Sequence, residues 1–158
     1  VGYGTTVKPD KYDSALLYGL EAGKYRLALK TPKDQIINVE YTRDKSKKKA
    51  AYKKSKAIHL KSDIDSIYTS TEKAARWYKV SVSSTKKRKA VTLSKDSVGG
   101  GFKFCVYQKG KRLKTVKVTK NDKVKTVKLP KKKGAYYVKV TKLTSKTTGA
   151  YYLGTYTY

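Results

Sequence analysis

The chain has 158 residues with 15 Tyr, 2 Phe, one Trp and no Met, enough for one domain of ordinary size or one domain and part of another, and too few for two full ones. Thirty-nine Lys and Arg against 11 Asp and Glu give a net charge of +28, a field that draws polyanions. A single cysteine excludes an internal disulfide, no Cys/His cluster is present, and no apolar run approaches the ~20 residues of a membrane-spanning helix.

Only five of the 39 cations are arginine. Lysine is a point charge without the planar fork that reads guanine edges, so the bias favours diffuse attraction over specific readout. The opening VGYGTT lacks the basic and apolar stretches of a secretory signal, so export would depend on a segment outside this sequence.

Residues 1–43 are separated from the rest by DKSKKKAAYKKSK (44–56), a basic and nearly core-free stretch that reads as a linker or a short solvated helix. Across that divide runs a weak internal repeat. LYGLEAGKYRLALKT with IINVEYT (17–31, 36–42) parallels VKLPKKKGAYYVKVT with YLGTYT (127–141, 152–157). Residues 1–43 are therefore expected to be a partial copy, packing on the main domain or ending a preceding one.

From 57 onward a period of two recurs between turn signals. ARWYKVSVS (75–83) sets Tyr78, Val80 and Val82 on one face and Trp77, Lys79 and Ser81 on the other. KAVTLS (89–94) groups Val91 with Leu93; FKFCVY groups Phe102, Phe104 and Val106 against Lys103, Cys105 and Tyr107. KTVKVTKNDKVKTVKL (114–129) reads as a hairpin about Asn121-Asp122. That register faces Val116 to Val127 and Lys117 to Thr126, with Val118 opposite Lys125 near a rim. GAYYVKVT (134–141) aligns Tyr136, Val138 and Val140, and the tail AYYLGTYTY is aromatic on both phases and takes no assignment. Short strands at this spacing, with no helical stripe, predict an all-β chain folded as an antiparallel β-sandwich, jelly-roll or Greek-key-like, over 57–158.

Candidate chemistry is sparse. Asp63 and Asp65 in SDIDS are weak metal candidates, because Ca²⁺ takes roughly six to eight oxygens and two turn carboxylates supply few of them. Cys105 and His59 are each alone of their kind, and a mid-strand thiol with no activating partner behaves as a small hydrophobe. No nucleophile elbow, phosphate loop or metalloprotease motif appears, so we expect no enzymatic activity and no cofactor. Trp77, Tyr151 and Tyr156 are candidates for stacking on a glycan, set against the plainer reading of Trp77 or Tyr78 as sandwich core. Lysines on outward strand positions, Lys103, Lys117, Lys128 and Lys139, are candidates for a polyanion field, since acidic residues give out after Asp122.

Residues 57–157 resemble the bacterial pre-peptidase C-terminal domain. The likeness is carried by AIHLKSDIDSIYTSTEKAARWYKVSVS (57–83), GGGFKFCVYQKGKRLKTV (99–116) and KLPKKKGAYYVKVT (128–141). It implies an extracellular, non-catalytic module associated with secretion, localisation or binding of insoluble polymer. Some members bind calcium through acids near the first strand; here only Asp63, Asp65 and Glu72 stand in that region, and Ala75-Arg76 replaces the acid before the Trp-Tyr strand.

Taken together, these features give the expectation of a secreted or cell-wall-associated module attached through lysine-rich strand faces to an anionic cell-surface polymer or polysaccharide. The alternatives are a structural spacer in a tandem-repeat surface protein and sequence-blind binding to nucleic acid. No feature of the pattern specifies an oligomeric state.

Overall fold

Alternation of apolar and polar residues builds the strands, and in a computed structural model nine of them, among the described residues, form two sheets. The structure describes residues 50–61, 64–68, 74–145 and 147–158, with backbone alone for 64–68, 96–99, 148 and 150. The partial repeat expected at 1–43 and the first half of the basic stretch lie outside these residues.

The strands are β1 (Ile58–His59), β2 (Ile64–Tyr68), β3 (Arg76–Val82), β4 (Lys89–Gly99), β5 (Phe102–Gln108), β6 (Lys111–Val118), β7 (Val124–Lys128), β8 (Gly134–Lys142) and β9 (Thr148–Thr157). One sheet has the order β1-β3-β8-β5-β6 and the other β2-β9-β4-β7. All pairings are antiparallel except that of β1 with β3. The expected antiparallel sandwich is therefore present, with one short parallel strand at its margin.

Inward positions are those the period of two picks out. Tyr78, Val80, Phe102, Phe104, Val106, Tyr136, Val138 and Val140 from the five-stranded sheet are at most 1% exposed. They meet Val91, Leu93, Tyr151 and Leu153 from the other sheet, all 0% exposed. Each such side chain taken from water contributes on the order of 1.5–3 kcal/mol. The last turn of the basic stretch also packs here: Ala51 is buried, its carbonyl accepts from the Trp77 N–H at 2.8 Å, and Lys54–Lys56 form a 3₁₀ turn.

The hairpin expected about Asn121-Asp122 does not form. β6 pairs with β5 (Phe104 to Val116, Phe102 to Val118) and β7 pairs with β4 (Val91 to Val127). Residues 119–123 instead carry the chain from one sheet to the other. Asp122 shapes that arch: its carboxylate accepts from Thr119 N–H at 2.9 Å and Thr119 Oγ1 at 2.7 Å, and ion-pairs with Lys125 Nζ at 2.7 Å. An arch and a hairpin place the same valines inward, which is why the alternation did not tell them apart. They differ in the outward residues: in an arch these point away from opposite faces of the sandwich. Val118 is accordingly buried at 0% exposure beside Phe102, not at a rim opposite Lys125.

Candidate functional site

The outer face of the five-stranded sheet is built from the alternate positions of β3, β8, β5 and β6. Register aligns them in three rows. Trp77 lies beside Lys139, then Cys105, then Thr115; Lys79 lies beside Tyr137, then Tyr107, then Arg112; Thr141 lies beside Lys103, then Lys117. With strands ~4.8 Å apart and rows two residues apart, this is a face on the order of 14 Å by 13 Å. No outward position in these rows is acidic.

Three aromatics dominate the middle of the face, each half-buried. Trp77 and Tyr107 reach towards each other over β8, with ring centroids 5.6 Å apart at 44°. Lys139 Nζ lies 5.5 Å from the Trp77 ring centre and Lys54 Nζ 4.7 Å from that of Tyr137. Such contacts are worth about 0.5–1 kcal/mol at exposed sites, small enough for a ligand to take the ring while its acid group takes the ammonium. Burial, with the neighbouring Cys105 next, pushes the Tyr107 phenol up from its ordinary value, and Arg112 partly offsets this. Tyr107 thus stays a neutral hydrogen-bonding group across the physiological range.

Of the lysines singled out from sequence, Lys103, Lys117 and Lys139 share this face, while Lys128 stands on the opposite one. The arch at 119–123 is the cause, since it turns the outward positions of β7 away from those of β6. Lys128 instead has its Nζ 5.3 Å from the Tyr158 ring, and Tyr158 packs on Tyr156 at 5.8 Å, leaving Tyr156 exposed at 46%.

Tyr151 is a correction. Its ring is 0% exposed, packed on Phe102 at 5.0 Å and hydrogen-bonded through its hydroxyl to Tyr78, so it offers no face to a ligand. Its neighbour Tyr152, of opposite phase, is the exposed one at 52%. Trp77 is neither core nor fully exposed: Tyr78 takes the core position and Trp77 the outer face.

Asp63 lies outside the described residues, and Asp65 is described only by its backbone, paired in β2 with Tyr152 of β9. Among the described residues no group of three or more His, Cys, Asp or Glu is positioned to hold a metal ion. His59 and Cys105 stand on β1 and β5, three strand spacings or ~14 Å apart. His59 Nε2 pairs instead with Ser81 Oγ at 3.0 Å, and Cys105 Sγ with Thr115 Oγ1 at 3.4 Å. Sequence reasoning passed over Tyr107, Tyr137, Lys54 and Lys79. The two tyrosines were legible as outward residues of their strands; that β5 and β8 lie side by side was not.

The described residues thus form a β-sandwich with a basic, aromatic outer face. Among solved structures it is similar to the pre-peptidase C-terminal domain of collagenase from Bacillus anthracis, at 18% identity and a TM-score of 0.49, over 63% of this chain and 92% of that one. No family model matches the chain, and a search of curated proteins finds no match.

Proposed function

We propose that the protein is a non-enzymatic, extracellular or cell-wall-associated module that attaches to an anionic cell-surface polymer or glycan through the outer face of its five-stranded sheet. The observation that carries this reading is the gathering of Trp77, Tyr107 and Tyr137 with Lys54, Lys79, Lys103, Lys117 and Lys139 on one face, whose strand rows hold no acid among the described residues. Rings stack on sugar faces and ammonium groups take carboxylates or phosphates, so an acidic polysaccharide or a wall teichoic acid satisfies both sets. The family resemblance supports the extracellular setting.

Retention on purified cell wall tests it, with and without about 0.5 M salt, where the Debye length falls to roughly 4 Å. Binding at low salt that is released at high salt, and reduced severalfold in Trp77→Ala/Lys139→Gln, is the expected result. Salt-insensitive retention, or none, would overturn the electrostatic account. The lysine bias makes any binding to DNA or RNA sequence-blind, which a gel shift with unrelated sequences reads directly.

A further inference from the structure

Three basic turns far apart in sequence meet at one end of the sandwich. Lys86-Lys87-Arg88-Lys89 leads from β3 into β4, Lys109-Gly110-Lys111-Arg112 closes the β5–β6 hairpin, and Lys131-Lys132-Lys133 leads from β7 into β8. The register gathers them. Val82 pairs with Gly134, Gln108 pairs with both Tyr136 and Lys111, and Leu129 N–H donates to the Lys89 carbonyl at 2.8 Å. Gln108 Nε2 donates to the Lys133 carbonyl at 3.5 Å. The end of β9 joins them, with Lys89 paired to Thr157 and Arg88 exchanging two backbone hydrogen bonds of 2.9 Å with Tyr158.

The three turns contribute ten basic residues and no acid. Beside the first of these turns, and between it and the end of β9, opens a concavity of about 330 Å³ lined by Ser83, Ser84, Lys86, Lys87, Lys89 and Thr157. Solubility is served by either sign of charge, and concentrating one sign at one end adds repulsion, so solvation alone does not account for the arrangement.

The chemistry of the lining selects the ligand. It contains ammonium groups and hydroxyls but no aromatic ring, the exposed Tyr158 standing outside it, which suits a tetrahedral oxyanion. The three turns are separated by strand and sheet spacings of ~5–10 Å, so a ligand that engages all of them carries repeated anions along its length.

We propose that this end of the sandwich is a second anion site, bordering the aromatic face at Arg112, that binds a linear chain of closely spaced phosphates. Seven-residue strands hold its charges more than roughly 20 Å from those at the other end, well beyond the ~8 Å Debye length at physiological salt. The two ends therefore act as separate electrostatic units.

The test measures the affinity of the whole chain for inorganic polyphosphate of defined length across a salt series. Wild type is compared with Lys86→Gln/Lys132→Gln at this end, Lys120→Gln/Lys123→Gln at the opposite end, and Trp77→Ala/Lys139→Gln on the aromatic face. We expect the first pair to weaken binding about tenfold and to lower the slope of log K against log salt by about 1.5, the effect of two lost phosphate contacts. The other two variants should each change affinity by less than about threefold.

A poly(glycerol phosphate) arm distinguishes the source of the phosphates, tighter binding of either polymer identifying which spacing the site takes. Equal binding of polygalacturonate would overturn the phosphate assignment, and equal losses in all three variants would overturn the site in favour of undivided net charge. Because the wall assay responds to Trp77 and Lys139 and this one to Lys86 and Lys132, failure of one reading leaves the other standing.

Discussion

The hydroxyls of Tyr78 and Tyr151 meet in a hydrogen bond across the gap between the two sheets, their rings edge to face at 87° with centroids 6.5 Å apart. Both side chains are at most 1% exposed. The contact lets two polar atoms enter an apolar core together, which neither does cheaply alone. Tyr151→Phe is expected to cost about 1–2 kcal/mol in urea unfolding, and Tyr151→Ala about 3–5 kcal/mol. In a double-mutant cycle, Tyr78→Phe and Tyr151→Phe together should cost less than the sum of the two. Strict additivity would show that the hydroxyls do not stabilise one another.

Gly101 lies where the β4–β5 turn passes under the end of β6. A Cβ there would stand 2.1 Å from the Val118 carbonyl oxygen and 3.0 Å from Leu143 Cδ1. The oxygen belongs to backbone, so the clash cannot be relieved by a rotamer change. Gly110, in the β5–β6 turn, has φ +80 and open space around it. We expect Gly110→Ala to cost only the left-handed backbone penalty, about 1–2 kcal/mol, and Gly101→Ala distinctly more. Thermal melts of the two variants check the order.

Asp122 has its carboxyl held well below the usual range, first by Lys125 and then by the hydroxyl and N–H of Thr119. An acid whose pKa is lowered on folding adds stability above its unfolded pKa, near 4 for aspartate, and the addition disappears as pH falls through the folded value. Asp122→Asn should therefore lower Tm at pH 7, and its deficit against wild type should narrow progressively below about pH 4. A deficit that stays constant from pH 7 to pH 2 would show that the arch does not depend on the charge.

On the aromatic face, the Lys139 ammonium near Trp77 contributes little to folding, because both side chains are only half-buried. Lys139→Gln should leave Tm within a few degrees of wild type, a shift of under about 1 kcal/mol, while reducing wall retention severalfold at low salt. A loss of retention matched by an equal loss of folded protein would assign Lys139 a structural role instead.

Much of the in-and-out pattern was readable without a structure, because β3 and β8 each bury one face only and β5 departs from this at Cys105 alone. Tyr78, Val80 and Val82 declare a phase that Trp77 and Lys79 do not share. The tail was unreadable for the opposite reason: Tyr151 and Tyr152 are the same residue on opposite faces, so residue type carries no phase there. The pairing of β6 was misread because alternation specifies which residues face the core and is silent on which strand lies alongside. That silence also hid the aromatic face and the basic end. Both are assembled by strand order, from residues whose outward direction or turn position was plain.

β6 is the outer strand of its sheet among the described residues, with Lys111, Arg112, Lys114 and Lys117 exposed along it. Two copies meeting edge to edge would press these four cations of each against the four of the other, which in simple salt opposes extension of the sheet from molecule to molecule. Among the described residues no loop or helix covers this edge, and the barrier they present is charge. A polyanion lying along the edge would remove it, and the attachment proposed above would then also let neighbouring copies align into a continuous layer.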